Sequence, residues 1–287
     1  MAIRKRLIIG CYSLLLLLSS CDLINPAEPL PAYLQIDDFP LTTTAEQGQN
    51  AEQITDVWVF VNDISLGIYE LPATISTLDL GTQDITIFPV VRENGLRSTP
   101  IIYPFYNRYE TTVELKTEQT VQLQPTTTYI ENAVFELVED FGGSGHQLRG
   151  GNASAVQIVD NVGQVNFADQ TVTEFTSSST FVDLPTSGNR AVFLEFDYQT
   201  NVELAVGLVG LDVNGGSIVA TSYKIILCPI DRWNRIYVNF QEDLELSQLT
   251  GYRLAFRATT NDTGCGNVNA TNPEVLLDNV KFIRLAN

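Results

Sequence analysis

Positive charge is scarce in this 287-residue chain: 16 Lys and Arg stand against 34 Asp and Glu, a formal balance of −18. Phosphate backbones are bound through basic footprints, so nucleic acid is excluded as a partner. Broad contact with anionic lipid headgroups is disfavoured for the same reason. Histidine is reduced to His146, in Gly142-Gly-Ser-Gly-His146. One His cannot complete a zinc set, and no basic residue or helix start follows the glycines as a phosphate loop requires. His146 therefore reads as an exposed loop residue. A Ser-His-Asp triad would need that same His, and no Gly-x-Ser-x-Gly elbow stands between a strand and a helix. Nothing singles out two facing carboxylates of the kind a glycosidase uses, so the chain reads as non-catalytic.

Long apolar runs are missing too, except at the start. The run 7–18 is broken only by Gly10, Tyr12 and Ser13 and follows Arg4, Lys5 and Arg6. It is shorter than the roughly 20 residues that span a bilayer. A basic start, a short apolar middle and small residues before a break form a secretory signal. Leu18-Ser19-Ser20-Cys21 resembles the lipobox of bacterial lipoproteins, which implies that Cys21 is acylated and begins the mature chain. Each buried methylene contributes about 0.8 kcal/mol, so attachment would be through lipid and not peptide. Residues 1–20 are then a signal peptide. Residues 21–32, with Pro26, Pro29 and Pro31, form an extended tether. Loss of the three leader cations takes the balance from −18 to −21, a charge suited to solubility outside the cell.

Of four cysteines, Cys11 leaves with the leader and Cys21 takes lipid, leaving Cys228 and Cys265. In an oxidising compartment these two are expected to pair, the alternative being two buried thiols. Long 3.6-period stretches are absent after the tether, and everything there reads as strands and turns. About 265 mature residues exceed one typical core, so two domains are expected.

The first, 33–125, has its clearest strand at 55–61, where Val57, Val59 and Val61 alternate with Trp58 and Phe60. Asn62-Asp63 turns into a hairpin partner at 66–69, and 80–84 reads as a turn before the strand 85–88. This order resembles small bacterial surface domains of immunoglobulin-like or prealbumin-like topology. The segments Ile54-Thr-Asp-Val-Trp-Val59, Leu66-Gly67, Glu70-Leu-Pro-Ala73 and Tyr103-Pro-Phe-Tyr106 resemble a group of Bacteroidota lipoproteins with no assigned activity. That resemblance implies lipid anchoring at the bacterial outer membrane, on the cell surface. Tyr103, Phe105, Tyr106 and Tyr109 fall within seven residues. They read either as a contact surface for sugar or protein, or as rings closing one end of the sandwich.

A connector, 126–132, precedes the second unit, 133–287. Runs at 191–198, 202–208, 223–227, 234–240, 252–257 and 274–283 indicate an antiparallel double sheet, most simply a jelly roll. Its first strand ends near Glu139 and Asp140, and its last reads Leu277-Asp-Asn-Val-Lys-Phe282. These edges resemble the galactose-binding-like jelly rolls of carbohydrate-binding modules. The resemblance implies glycan binding and a structural calcium shared by the termini, for which Glu139, Asp140 and Asp278 are the candidates. Trp233 is expected against the core near the proposed disulfide, or alternatively as a sugar-stacking platform on a loop. Asp197, Tyr198 and Arg257 are further candidates for a groove. The expectation is an all-β protein of two sandwiches in series, lipid-anchored, binding glycan or a protein partner through the jelly roll. The alternative is an accessory subunit of an outer-membrane protein complex without a sugar ligand. No cofactor beyond the calcium is required.

Overall fold

A computed structural model describes residues 28–150, 155–167, 171–188, 190–212, 217–247, 249–260, 264–265, 270 and 272–286. The expected leader, Cys21 and residues 22–27 of the expected tether lie outside the described residues. Among the described residues no helix is long and apolar enough to cross a membrane.

The first sandwich is built from β1 (Ala32–Ile36), β2 (Leu41–Thr42), β3 (Asp56–Val61), β4 (Ile64–Glu70), β5 (Ala73–Thr77), β6 (Gly81–Arg92), β7 (Pro100–Ile102), β8 (Tyr109–Leu115), β9 (Thr120–Leu123) and β10 (Thr127–Thr128). One sheet runs β4-β3-β6, with β7 and β8 following one another along the far side of β6. A smaller sheet, β5-β1-β9, pairs β1 antiparallel with β5 and parallel with β9. The alternation in β3 puts Val57, Val59 and Val61 in the core. Trp58, Phe60 and Phe88 cover the other face with ring centroids 5.4 and 5.6 Å apart. Asn62 and Asp63 have φ of 48° and 64°, the left-handed pair that a two-residue hairpin turn demands. Residues 81–84, expected as a turn, are instead the start of β6, paired to β8 from Gly81↔Leu115 onward.

The second sandwich follows with β11 (Ala133–Glu139), β12 (Leu148–Gly150), β13 (Val156–Val159), β14 (Val162–Val165), β15 (Val172–Ser177), β16 (Val192–Thr200), β17 (Glu203–Asp212), β18 (Ser217–Leu227), β19 (Ile230–Asn239), α1 (Gln241–Ser247), β20 (Gly251–Thr259) and β21 (Val275–Leu285). One sheet runs β13-β14-β21-β16-β19, with β11 beside β14 along β21. The other runs β12-β15-β20-β17-β18. Phe196, Phe240, Phe256 and Phe282 are among the rings buried between them, each contributing about 1.5–3 kcal/mol. This is the jelly-roll sandwich expected from the long strands.

Three further features depart from the sequence reading. Strands β12 to β15 were not expected, because runs of three to six residues among Gly, Ser and Thr carry little period-2 signal. Helix α1 interrupts the all-strand pattern. It is only seven residues long, with acidic residues in its first turn and Leu244 as its buried anchor, too short for a visible helical period. The connector 126–132 is not an open linker, since Thr127 pairs with Leu41 in a two-strand bridge and both Thr127 and Tyr129 are buried.

Candidate functional site

Alternation along β16, β19 and β21 gives the second sandwich's β13-β14-β21-β16-β19 sheet two distinct faces. Leu194, Phe196, Ile236, Val238, Val280 and Phe282 point into the jelly-roll core. Phe193, Tyr237 and Ile283 point the other way, into a core shared with the first sandwich. Tyr103, Phe105 and Tyr106 pack there, Tyr103 lying 5.3 Å from Phe193 and 4.9 Å from Tyr237 by ring centroid. Tyr103 and Phe105 are fully buried and Tyr106 is 5% exposed, so none of the three is the ligand-contact surface considered for them. They close the junction between the sandwiches.

Charged groups are enclosed in the same junction. Glu195 accepts hydrogen bonds from Tyr103 Oη at 2.5 Å and Tyr129 Oη at 2.8 Å, and pairs with Arg235 Nη2 at 2.6 Å. Arg235 Nη1 reaches Asp197 at 2.9 Å. Burial works against the Arg235 charge, yet Glu195 and Asp197 hold it well above its ordinary range. Burial, and then Glu195, pushes the Tyr103 and Tyr129 hydroxyls well above 10. Lys281, 1% exposed, donates to Gln49 O at 2.8 Å, and burial brings its pKa down to about 8.

The first sandwich covers only part of this sheet face. Where its footprint ends, a groove of about 560 Å³ opens, lined by Asn50, Ala51, Glu52 and Gln53 on one side and Asp197, Arg232, Trp233, Asn234 and Arg235 on the other. Trp233 lies within β19 and is 44% exposed. Neither the core position nor a loop describes it. Its strand position turns it to the outer face alongside Arg235 and Tyr237, beyond the reach of the first sandwich. Gln53 bridges the two sandwiches: its N–H donates to Tyr237 Oη, its Oε1 accepts from Arg235 N–H, both at 2.8 Å, and its Nε2 faces Asn234 Oδ1 at 3.4 Å. Glu52 uses one oxygen for Ile54 N–H at 2.6 Å, and burial raises its pKa. A half-exposed indole beside carboxylates, amides and a guanidinium offers a flat apolar platform with hydrogen-bond partners at its edge.

The calcium residues do not assemble as expected. Glu139 is buried and spends its oxygens on Phe141 N–H at 2.8 Å and Gln147 N–H at 2.7 Å, clamping the 140–147 loop. Asp278 stands opposite Asp197 in the β16–β21 register, and the charges of Asp197 and Asp140 both act on it. Burial, reinforced by both neighbours, raises Asp278 from 3.8 to about 6. Among the described residues no group of three or more His, Cys, Asp or Glu side chains is arranged to hold a metal ion. His146 lies in the loop before β12 as expected but is half-buried and not exposed: Leu148 N–H donates to its Nδ1 at 3.2 Å, so Nε2 carries the proton it gives to Val156 O at 3.0 Å. Of the remaining groove candidates, Asp197 lines the groove and Tyr198 is buried in the jelly-roll core. Arg257 stacks on Tyr223 at 4.6 Å in the opposite sheet. Cys228 and Cys265 are disulfide-bonded, with a Cα–Cα distance of 5.3 Å. Gln53, Arg232 and Asn234 carry no sequence signal, since single polar residues in loops and exposed strand positions are common.

No family model and no curated protein matches the chain. Solved structures are similar over about half of it. A carbohydrate-binding module of family 29 is 12% identical with a TM-score of 0.34, over 53% of this chain and 88% of that one. A variant of such a module complexed with cellulohexaose is 12% identical with a TM-score of 0.34, over 54% and 93%. The enzymatically active domain of tailspike protein 4 from bacteriophage CBA120 is 14% identical with a TM-score of 0.31, over 53% and 19%. The fold rests on the strand pairing above and not on these likenesses.

Proposed function

We propose that the protein is a non-catalytic, lipid-anchored envelope protein of the bacterial outer membrane whose jelly roll binds glycan in the groove at Trp233. The observation that carries this reading is the exposure of Trp233 on a sheet face that the first sandwich covers only in part. An indole face stacks on the apolar face of a sugar ring, while Glu52, Asp197 and Asn234 offer partners for its hydroxyls. The leader and Cys21 support the address. In a Trp58→Phe background Trp233 is the remaining tryptophan, so its emission should shift as cello- or manno-oligosaccharides are added to the full-length protein. Trp233→Ala should weaken binding about tenfold or more. Silence of the wild-type chain across a glycan array would remove the sugar reading. Palmitate label on the wild type and not on Cys21→Ser is the matching result for the anchor, and equal labelling of both would remove it.

A second reading, an accessory subunit of an outer-membrane complex, draws on edge strand β18. Its Ile218 and Val219 are 68% and 55% exposed, an apolar edge of the kind that protein partners cover. Co-purification of a barrel protein together with an empty glycan array would favour it.

A further inference from the structure

We infer that the groove at Trp233 is one half of an elongated site that takes several consecutive units of an uncharged polysaccharide, with Arg232 at the junction of its halves. The inference rests on the glycan reading above. A second hollow, of about 540 Å³, is lined by residues that include Gln199, Asn201, Pro229, Asp231 and Glu274, and Arg232 lines both hollows. The two therefore adjoin at Arg232, one against 229–232 and the other against 232–235. At about 3.3 Å per strand residue the stretch from Pro229 to Arg235 is ~20 Å long, more than a single pyranose ring fills.

The second hollow is held in shape before any ligand arrives. Cys228, adjoining Pro229, is disulfide-bonded to Cys265, whose N–H donates to Glu203 at 3.1 Å. Gln199 Nε2 donates to Asp231 O at 3.0 Å, and Asn201 bonds both Asn272 O at 2.8 Å and Glu274 N–H at 2.7 Å. Fixing such groups in advance lowers the ordering cost of binding. Charge defines the ligand class. Glu52 and Asp197 lie in one half, Asp231 and Glu274 in the other, while the Arg235 charge is already committed to Glu195 and Asp197. Arg232 is exposed and, among the described residues, makes no hydrogen bond or ion pair. One free guanidinium among these carboxylates, of which Asp197 is already paired with Arg235, in a chain of balance −18, repels an acidic polymer and accepts hydroxyl donors. The Arg232 guanidinium can stack on one sugar ring and donate to the next.

The test is calorimetric titration of the full-length, detergent-extracted protein with manno- and cello-oligosaccharides of one, two, four and six units, and with oligogalacturonate as the acidic probe. Affinity should rise about tenfold or more from two to six units. Arg232→Ala should reduce that gain to within about threefold, and Glu274→Gln should reduce it in the same sense. Equal affinity for two and six units would overturn the elongated site, and an unchanged gain in Arg232→Ala would overturn the role of Arg232 in joining the halves. Preference for oligogalacturonate would overturn the charge assignment. A protein that binds no saccharide of any length loses the glycan reading itself, whereas binding without length dependence removes this inference alone.

Discussion

At the scale of single residues, position on a strand decides what a charge does. Asp278 sits opposite Asp197 in the β16–β21 register, half-buried and close to Asp140. Its pKa of about 6 lies above the 3.8 of the unfolded chain, so the unfolded state ionises first as pH rises. The folded state is thus disfavoured progressively between about pH 4 and 6 and carries the full cost above that. Asp278→Asn keeps the acceptor for Asn279 N–H and removes the charge. We expect thermal melts to show the variant more stable than wild type at pH 7.5 and equal to it near pH 3.5. A variant less stable at pH 7.5 would mean that the Asp278 charge has a favourable partner.

At the scale of elements, the disulfide staples the start of β19 to the segment before β21. It closes a sequence separation of 37 residues. In the chain-entropy account a loop of that size restricts the unfolded chain by about 3–4 kcal/mol. The double variant Cys228→Ser/Cys265→Ser should lose stability of that order in a urea titration, and a midpoint unchanged from wild type would refute it. Much of this level was legible in the sequence. The alternation of Val57, Val59 and Val61 with Trp58 and Phe60 located β3, and the long apolar run at 191–198 located β16, most of which is buried on both faces and so reads as a run and not as an alternation. The short strands from Leu148 to Ser177 were hidden for the converse reason: three to six residues give too few repeats to stand out. The pairing of Cys228 with Cys265 followed from elimination of the other cysteines.

At the scale of the whole molecule, the two sandwiches share a core. Charges that strand alternation would assign to solvent, Glu195, Arg235 and Lys281, are enclosed between them. Glu195→Ala breaks the buried Glu195–Arg235 pair, leaving Arg235 with Asp197 alone and removing a carboxylate that favours the Lys281 charge, a loss of about 3–5 kcal/mol for a broken buried pair. Wild-type protein should therefore unfold in one calorimetric transition, and the variant in two as the sandwiches uncouple. Two transitions already present in wild type would show that the shared core does not couple them. Because Gln53 and Asn234 face each other across the junction, uncoupling should also open the groove at Trp233.

The sequence by itself determined the strand-rich architecture, the acidic balance and the cysteine pair. All of these are properties of composition or of short contiguous patterns. Tertiary structure alone decided the fate of the aromatics. Tyr103, Phe105 and Tyr106 vanished into the junction, while Trp233 emerged beside a groove built from residues 181 positions apart. Exposure depends on where one sandwich ends upon the face of the other, and that boundary arises from packing between distant segments, which no local pattern encodes.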